Sequence, residues 1–205
     1  MPNYCSSKYA FFANDENIGE LKRLHDCLTD TIAVLSQVKN DFEPGCLGKV
    51  AIEHGIDPKC IPCRGGINYL SNFEAESGYF TLDTETAWAP MDELWEAVIS
   101  RYSGISYVYI AEEPGLEVYI NTDVEGTFFT ERYLFEICGY TPVPEGWCVD
   151  DEKLDYLEIR KYFKDFDELA DYCTKLTGKE FGTFEELKSY FFDILGKDCI
   201  HEFAK

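Results

Sequence analysis

The chain has 205 residues, of which 45% are hydrophobic and 16% aromatic, so the sequence predicts a folded core and excludes general disorder. Its 39 acidic and 18 basic side chains give a formal net charge of −21, which argues against direct binding to nucleic acid or to an anionic membrane. No window approaches the roughly 18 apolar residues of a membrane span, and the first residues lack the pattern of a secretory signal, so we expect a cytoplasmic protein.

In chain order, the sequence first predicts a unit with the order β-α-β-β-α-β and additional strands over residues 1–138. Strands are expected where aromatic and β-branched residues cluster or alternate, and helices where apolar residues recur every three or four positions. This is the order of the ferredoxin-like (split βαβ) fold, an α+β class with two amphipathic helices on one face of an antiparallel sheet. The predicted strands are 3–13, 67–74, 79–85, 105–111, 116–122 and 128–138. Three helices are predicted: one that ends at about Lys39, a short one over 47–54, and one that begins at Pro90.

The remaining residues predict a connection at 139–155 and a C-terminal αβ extension at 156–205 that packs on the core. The connection is rich in proline, glycine and acidic residues. The extension begins with a strand candidate at 156–163. Two capping-box spacings, Asp165-x-x-Glu168 and Thr183-x-x-Glu186, then predict the starts of two helices.

Three segments of the first unit resemble a known family. They are the opening MPNYCSS, the block TLDTETAWAPMDELWEAV, and the turn EEPG followed by a strand. Together they resemble the YubB-type ferredoxin-like family of phage and plasmid proteins, over roughly residues 1–135. The family usually has Trp where this chain has Tyr4. The resemblance implies the fold and a phage or mobile-element setting, and it implies no catalytic residue.

A cysteine-rich loop is the strongest candidate for a metal site. Cys46, His54, Cys60 and Cys63 offer thiolate and imidazole ligands of the kind that zinc prefers. A closed zinc site usually has two close pairs of ligands, whereas this loop has one pair and two isolated residues. We therefore predict no cofactor and read these cysteines as loop thiols, with zinc kept as an alternative.

Two other candidate sites are weaker. A Cys–His nucleophile pair could involve His25 and Cys27, but these residues lie two apart on a predicted helix, so their side chains point to different sides. The segment Thr84–Trp88 is compatible with a polar pocket at a strand end. The simpler interpretation is a connection whose Trp88 fills the core.

Acidic residues without neighbouring cations are the main functional indication. Between Arg64 and Arg132 the only basic residue is Arg101. Like charges opposed across strands destabilise a sheet by roughly 0.2–1 kcal/mol, and a basic partner would remove that cost. A solvated acidic face with no partner is the alternative. The carboxylates expected to bind a partner are Glu74, Glu76, Asp83, Glu85, Glu112, Glu113, Glu117, Asp123 and Glu125.

From this pattern we predict a non-enzymatic inhibitor that occupies the basic nucleic-acid groove of a host defence protein, such as a CRISPR effector or restriction enzyme. Carboxylates would imitate nucleic-acid phosphates and steer association. Tyr107, Tyr109 and Tyr119 would serve as anchors if they lie on the open face of the sheet. Two alternatives remain: a zinc- or thiol-dependent enzyme using Cys46–Cys63, and a small-ligand regulatory module. No sequence feature fixes the oligomeric state.

Overall fold

The structure, a computed structural model, describes residues 3–35, 46–148 and 156–205. The predicted helix end at Lys39 and residues 149–155 of the predicted connection lie outside them. The chain divides into two compact units, Met1–Asp123 and Val124–Lys205. Within the described residues the fold is mixed α+β, with two antiparallel sheets and five helices.

The first unit is built on a five-stranded sheet with the strand order β2-β3-β1-β4-β5, in which all neighbours are antiparallel. Its central strand β1 therefore pairs with β3 on one side and with β4 on the other. The strands are β1 Tyr4–Ala13, β2 Gly65–Leu70, β3 Tyr79–Ala87, β4 Ile105–Glu113 and β5 Val118–Asn121; the helices are α1 Ile18–Leu35, α2 Cys46–Glu53 and α3 Asp92–Ile99.

The helices cover one face of this sheet, which we call the inner face. Tyr9 and Phe11 of β1 point to it and are fully buried, with ring centroids 5.5 and 5.2 Å from that of Trp95 on α3. Apolar residues of α1, including Leu21 and Leu24, belong to the same core cluster. Burying such side chains contributes about 1.5–3 kcal/mol each, so this core accounts for much of the stability of the unit.

Side chains alternate along each strand, so the residues between the core positions lie on the opposite, outer face. On β1, Tyr4, Ser6 and Lys8 are exposed on this face while Cys5 and Ser7 between them are buried. Residues directly paired across antiparallel strands share a face. Asp83 and Glu85 of β3 and Glu112 of β4 therefore lie on the outer face with their partners on β1.

The second unit contains a three-stranded antiparallel sheet with the order β7-β6-β8 and its own apolar core around Phe135, Trp147 and Phe191. Both predicted helix starts are confirmed. The side chains of Asp165 and Thr183 accept from the amides three residues ahead, at 2.9 and 3.2 Å. The strands are β6 Tyr133–Pro142, β7 Tyr156–Phe163 and β8 Ile200–Glu202; the helices are α4 Phe166–Thr177 and α5 Phe184–Leu195.

The unit boundary differs from the predicted one at residue 138. The chain divides after Asp123, because β6 pairs with β7 and β8 and with no strand of the first sheet in the described residues. The sequence assigns residues 128–138 to the first unit, as a further strand or mixed element. Strand propensity alone does not specify the pairing partner, which depends on contacts distant in sequence.

Two expectations about side-chain burial in the first unit are wrong. Trp88 does not fill the core: it is 45% exposed, because its left-handed backbone turns it out of the strand. On β5, the alternation of Leu116, Val118 and Ile120 with Glu117, Tyr119 and Asn121 predicts one core face and one wet face, yet Tyr119 and Asn121 of the predicted wet face are buried. Alternation identifies two faces of a strand but does not say which of them is covered. No helix among the described residues is long and apolar enough to cross a membrane.

Candidate interaction surface

The structure separates the predicted acidic cluster into several groups. Asp83, Glu85 and Glu112 lie together on the outer face of the first sheet, where they flank β1. Glu117 is exposed in the turn between β4 and β5. Glu74 and Glu76 are exposed in the connection between β2 and β3, at the opposite end of β3 from Glu85. Glu125 belongs to the second unit.

Ser6 is the centre of the outer-face group. It pairs with Glu85 on one side and with Glu112 on the other, so two carboxylate-bearing residues flank one short side chain. Neighbouring strands lie about 4.7–4.9 Å apart, so Glu85 and Glu112, one strand to each side of β1, are separated by about 9–10 Å and repel only weakly across the central strand. We call the set Ser6, Asp83, Glu85 and Glu112 the acidic face.

One cation from outside the acidic segment between Arg64 and Arg132 lies beside the acidic face. Lys8 on β1 pairs with Asp83 and Ile110 and is exposed. No ion pair joins Lys8 to a described carboxylate within 4.0 Å. Two ion pairs of the first unit that the structure describes lie on α1, between Lys22 and Asp26 and between Arg23 and Glu20.

Asp83 has an unsatisfied oxygen. Its Oδ1 is buried and has no hydrogen-bond partner among the described residues. A buried acceptor without a donor costs about 1–3 kcal/mol of stability. Neither Asp83 nor Glu85 forms an ion pair with a described residue.

Two of the predicted binding carboxylates are buried. Glu113 is 2% exposed on the inner side, and its oxygens accept from the amides of Gly115 and Leu116 at 3.0 and 2.6 Å. It therefore caps the short 3-10 turn Pro114–Leu116. Asp123 is also buried, and its amide donates to the Asn121 side chain at 3.0 Å. Neither carboxylate lies on an exposed surface.

The three tyrosines predicted as anchors are not exposed on the open face of the sheet. Tyr107 and Tyr109 lie on the inner face, where their rings stack with centroids 6.3 Å apart. The Tyr107 hydroxyl donates to Asp92 Oδ1, and burial together with this bond raises the pKa of Tyr107. Burial raises the pKa of Tyr109 to about 12. Tyr119 pairs with Glu112 on the outer side, but it is buried.

Three of the four zinc candidates bond to separate partners. His54 uses both ring nitrogens, since Nδ1 is 2.7 Å from the Val50 carbonyl oxygen and Nε2 is 2.8 Å from the Tyr102 hydroxyl. The Cys60 thiol donates to Asp57 and the Cys63 thiol to the Pro58 carbonyl. Burial raises the pKa of Cys46. No group of three metal-ligating side chains occurs among the described residues.

A hydrogen bond that the sequence did not indicate connects His54 with Tyr102. His54 Nδ1 lies 2.7 Å from the Val50 carbonyl oxygen, and Nε2 lies 2.8 Å from the Tyr102 hydroxyl. Burial is the main cause that raises the pKa of Cys27, and it raises that of Tyr102 to about 12. A protonated thiol is a poor nucleophile, so Cys27 and His54 are not an activated catalytic pair.

His25 has a structural role. Its Nε2 lies 2.9 Å from the Ser71 carbonyl oxygen, and its ring packs edge-on against Phe80. It borders a cleft of about 360 Å³ between α1 and β2, which is also lined by Ile32, Ile67 and Leu70. The cleft is large enough for a small apolar group.

Comparison with known proteins adds no assignment: no family model, curated protein or solved structure matches the chain. The most distinctive surface among the described residues is the acidic face on the central strands of the first sheet.

Proposed function

We propose that this protein is an acidic, non-enzymatic interaction protein that binds a basic partner through the outer face of its first sheet. The observation that carries the proposal is the acidic face. Two strands bring Glu85 and Glu112 to either side of Ser6, and Asp83 adds a further carboxylate on the same face. Lysine and arginine side chains of a partner would pair with the exposed carboxylates of this face.

The partner class that we favour is a nucleic-acid-binding protein of host defence, such as a CRISPR effector or a restriction enzyme. Such proteins hold nucleic acid in grooves lined by arginine and lysine. A chain with net charge −21 would be steered to a groove of that kind and would exclude nucleic acid from it. Inhibition by mimicry would then need no catalytic residue, zinc ion or other cofactor in this chain.

We further propose a ferredoxin-like fold for the first unit and a cytoplasmic, phage or mobile-element setting. The strand order β2-β3-β1-β4 with antiparallel neighbours supports the fold. The resemblance of MPNYCSS and TLDTETAWAPMDELWEAV to the YubB-type family supports the setting. In this interpretation β5 is an addition to the edge at β4.

The proposal is tested by displacement of labelled duplex DNA from a purified CRISPR effector and a purified restriction enzyme. We expect displacement to weaken at least about tenfold between about 50 mM and about 200 mM salt, because exposed charge pairs are screened. The variant Glu85→Lys/Glu112→Lys/Glu117→Lys should lose displacement. Glu113 is excluded from this set, because its reversal would remove a buried turn cap.

A matched variant separates the acidic face from net charge. Glu16→Lys/Glu93→Lys/Glu96→Lys changes the net charge by the same amount, at exposed positions on the helical side of the unit. It should retain most of the displacement. Equal loss in the two variants would mean that only overall charge matters, and the surface proposal would fail. Displacement that does not depend on salt would also overturn it.

A further inference from the structure

One exposed aromatic residue of the first unit has a strained backbone. Trp88 has a φ of 76°, in the left-handed region that side chains with a Cβ atom rarely adopt. Strain of this kind persists only where the surrounding structure enforces it, and it is concentrated at sites of binding and catalysis. Glycine would adopt the same conformation without the steric cost.

Three hydrogen bonds fix the peptide groups around Trp88. Its own amide donates to the Asn3 carbonyl at 3.0 Å, and the Ala87 amide donates to the Arg64 carbonyl at 3.0 Å. The Thr86 hydroxyl donates to the Ala89 carbonyl at 2.7 Å. These bonds hold the indole where water reaches it, although burying a tryptophan would contribute more to stability.

Trp88 is not an isolated exposed residue. Tyr4 pairs with Ala87, next to Trp88, and is 56% exposed. A side chain at Gly115 would collide with the side chain of Asn3, so the turn Pro114–Leu116 packs directly on Asn3. Leu116 in this turn is 54% exposed. Tyr4, Trp88 and Leu116 therefore adjoin the same residue, Asn3, and we call these three the aromatic corner.

Carboxylates adjoin the aromatic corner. Glu85 is the diagonal neighbour of Tyr4 on the outer face, at a Cβ separation of about 7–8 Å. Glu117 follows Leu116 in the chain and is exposed. Arg64 is a basic residue beside the corner, because its carbonyl oxygen accepts a hydrogen bond from the Ala87 amide. It forms no ion pair with a described residue. Glu85 and Glu117 give the corner two carboxylates against the guanidinium of Arg64, so its balance is negative.

We propose that the aromatic corner is the anchor for an arginine side chain of the basic partner, with the guanidinium stacked on Trp88 and paired with the neighbouring carboxylates. This inference rests on the proposed function and specifies its chemistry. Tryptophan gives the strongest cation–π face, and arginine stacks and pairs with a carboxylate at the same time, which lysine does less well.

The chain contains the same arrangement within its own fold. Arg23 lies over the Tyr102 ring at 4.2 Å from the centroid, and its guanidinium bonds the carboxylate of Glu20 at 2.6 Å. A guanidinium that is stacked on an aromatic ring and paired with a carboxylate is thus stable in this protein. At the aromatic corner the ring and the carboxylates are present, and the arginine would come from the partner.

The test compares fluorescein-labelled oligo-arginine and oligo-lysine peptides of equal length, with binding followed by fluorescence anisotropy. We expect the intact protein to bind oligo-arginine about tenfold more tightly than oligo-lysine. Trp88→Gly should reduce the oligo-arginine affinity to that of oligo-lysine and leave the latter unchanged. Its thermal midpoint should not fall, because glycine relieves the strained φ.

Two further variants serve as controls. Trp88→Phe keeps an aromatic face and should keep part of the preference for arginine. Tyr79→Ala removes another exposed aromatic, at the far end of β3, and should keep all of it. If the intact protein and Trp88→Gly both bound the two peptides with equal affinity, the arginine anchor would be overturned. The proposal that the acidic face binds a basic partner would stand. Absence of salt-dependent binding to either peptide would overturn both proposals.

Discussion

The two faces of the five-stranded sheet are made from the same alternating strands, yet they have different physical roles. The inner face carries Tyr9 and Phe11 against Trp95, all fully buried. The outer face carries Ser6, Lys8 and Glu85, all exposed on the central strands. Because the inner face supplies the apolar core, the outer face can accumulate like charges without preventing folding.

Glu112 and Glu113 show how sharply the two faces differ. They are neighbours in the chain, yet Glu112 lies on the outer face beside Ser6, while Glu113 is buried and caps a turn. A run of carboxylates in a sequence is therefore not yet a surface. Its contribution to binding depends on which side of the strand each residue occupies.

The largest difference between the faces should appear in stability. Trp95→Ala removes a fully buried side chain from the inner face and should lower the free energy of unfolding by about 3–5 kcal/mol. Glu85→Ala on the outer face should change it by no more than about 0.5 kcal/mol. Urea unfolding followed by far-UV circular dichroism measures both. Comparable losses in the two variants would contradict the division of roles.

The second prediction concerns two acidic residues of one turn. Glu113→Ala leaves the amides of Gly115 and Leu116 without their acceptor and should cost about 0.5–2 kcal/mol of unfolding free energy. Glu117 has a φ of 56°, so Glu117→Gly should cost nothing and should raise stability by up to about 1 kcal/mol. A loss in Glu117→Gly as large as that in Glu113→Ala would contradict the assigned roles.

The third prediction is a pH dependence that belongs to the inner face. Burial raises the pKa of Tyr109 to about 12, above the value of about 10 expected in the unfolded chain. Below pH 10 the phenol is neutral in both states and stability is unaffected. As the pH rises from about 10 to about 12, the unfolded chain releases the proton first, so stability is lost in that window. Tyr109→Phe should reduce the loss, and an unchanged slope would show that Tyr109 is not the cause.

The smallest effect is expected from removing one charge from each side of the unit. Glu85→Gln weakens repulsion on the acidic face and should raise the unfolding free energy by no more than about 0.5 kcal/mol at low salt. Glu93→Gln removes a favourable charge from the first turn of α3 and should lower it by about 0.3–1 kcal/mol. Both effects should shrink at high salt. The same sign in both variants would contradict the predicted repulsion on the acidic face.

Local signals predicted the elements of this fold better than its faces. The capping spacings at Asp165 and Thr183 were sufficient to predict the starts of α4 and α5, because a cap involves residues only three apart. Lys8 lies beside Asp83 because two strands that are distant in sequence pair with each other. The acidic segment considered by itself therefore could not reveal this neighbouring cation.

The candidate site was the less predictable part for the same reason. Glu85 and Glu112 were identified as acidic residues, but their convergence on Ser6 is a result of strand register. Trp88 was expected in the core, since a tryptophan after a strand usually packs inward. Its left-handed φ is enforced by bonds to Asn3 and to the Arg64 segment, neither of which can be inferred from the residues around it.

The central claim, that a basic partner docks on the outer face, is tested most directly by carboxyl labelling with a carbodiimide and glycine ethyl ester, read by mass spectrometry. The protein would be labelled alone and with oligo-arginine peptide. We expect Glu85 and Glu117 to lose reactivity with the peptide bound, while Glu16 and Glu93 on the helical side keep theirs. Equal protection of all four residues, or protection of the helical pair alone, would contradict the claim.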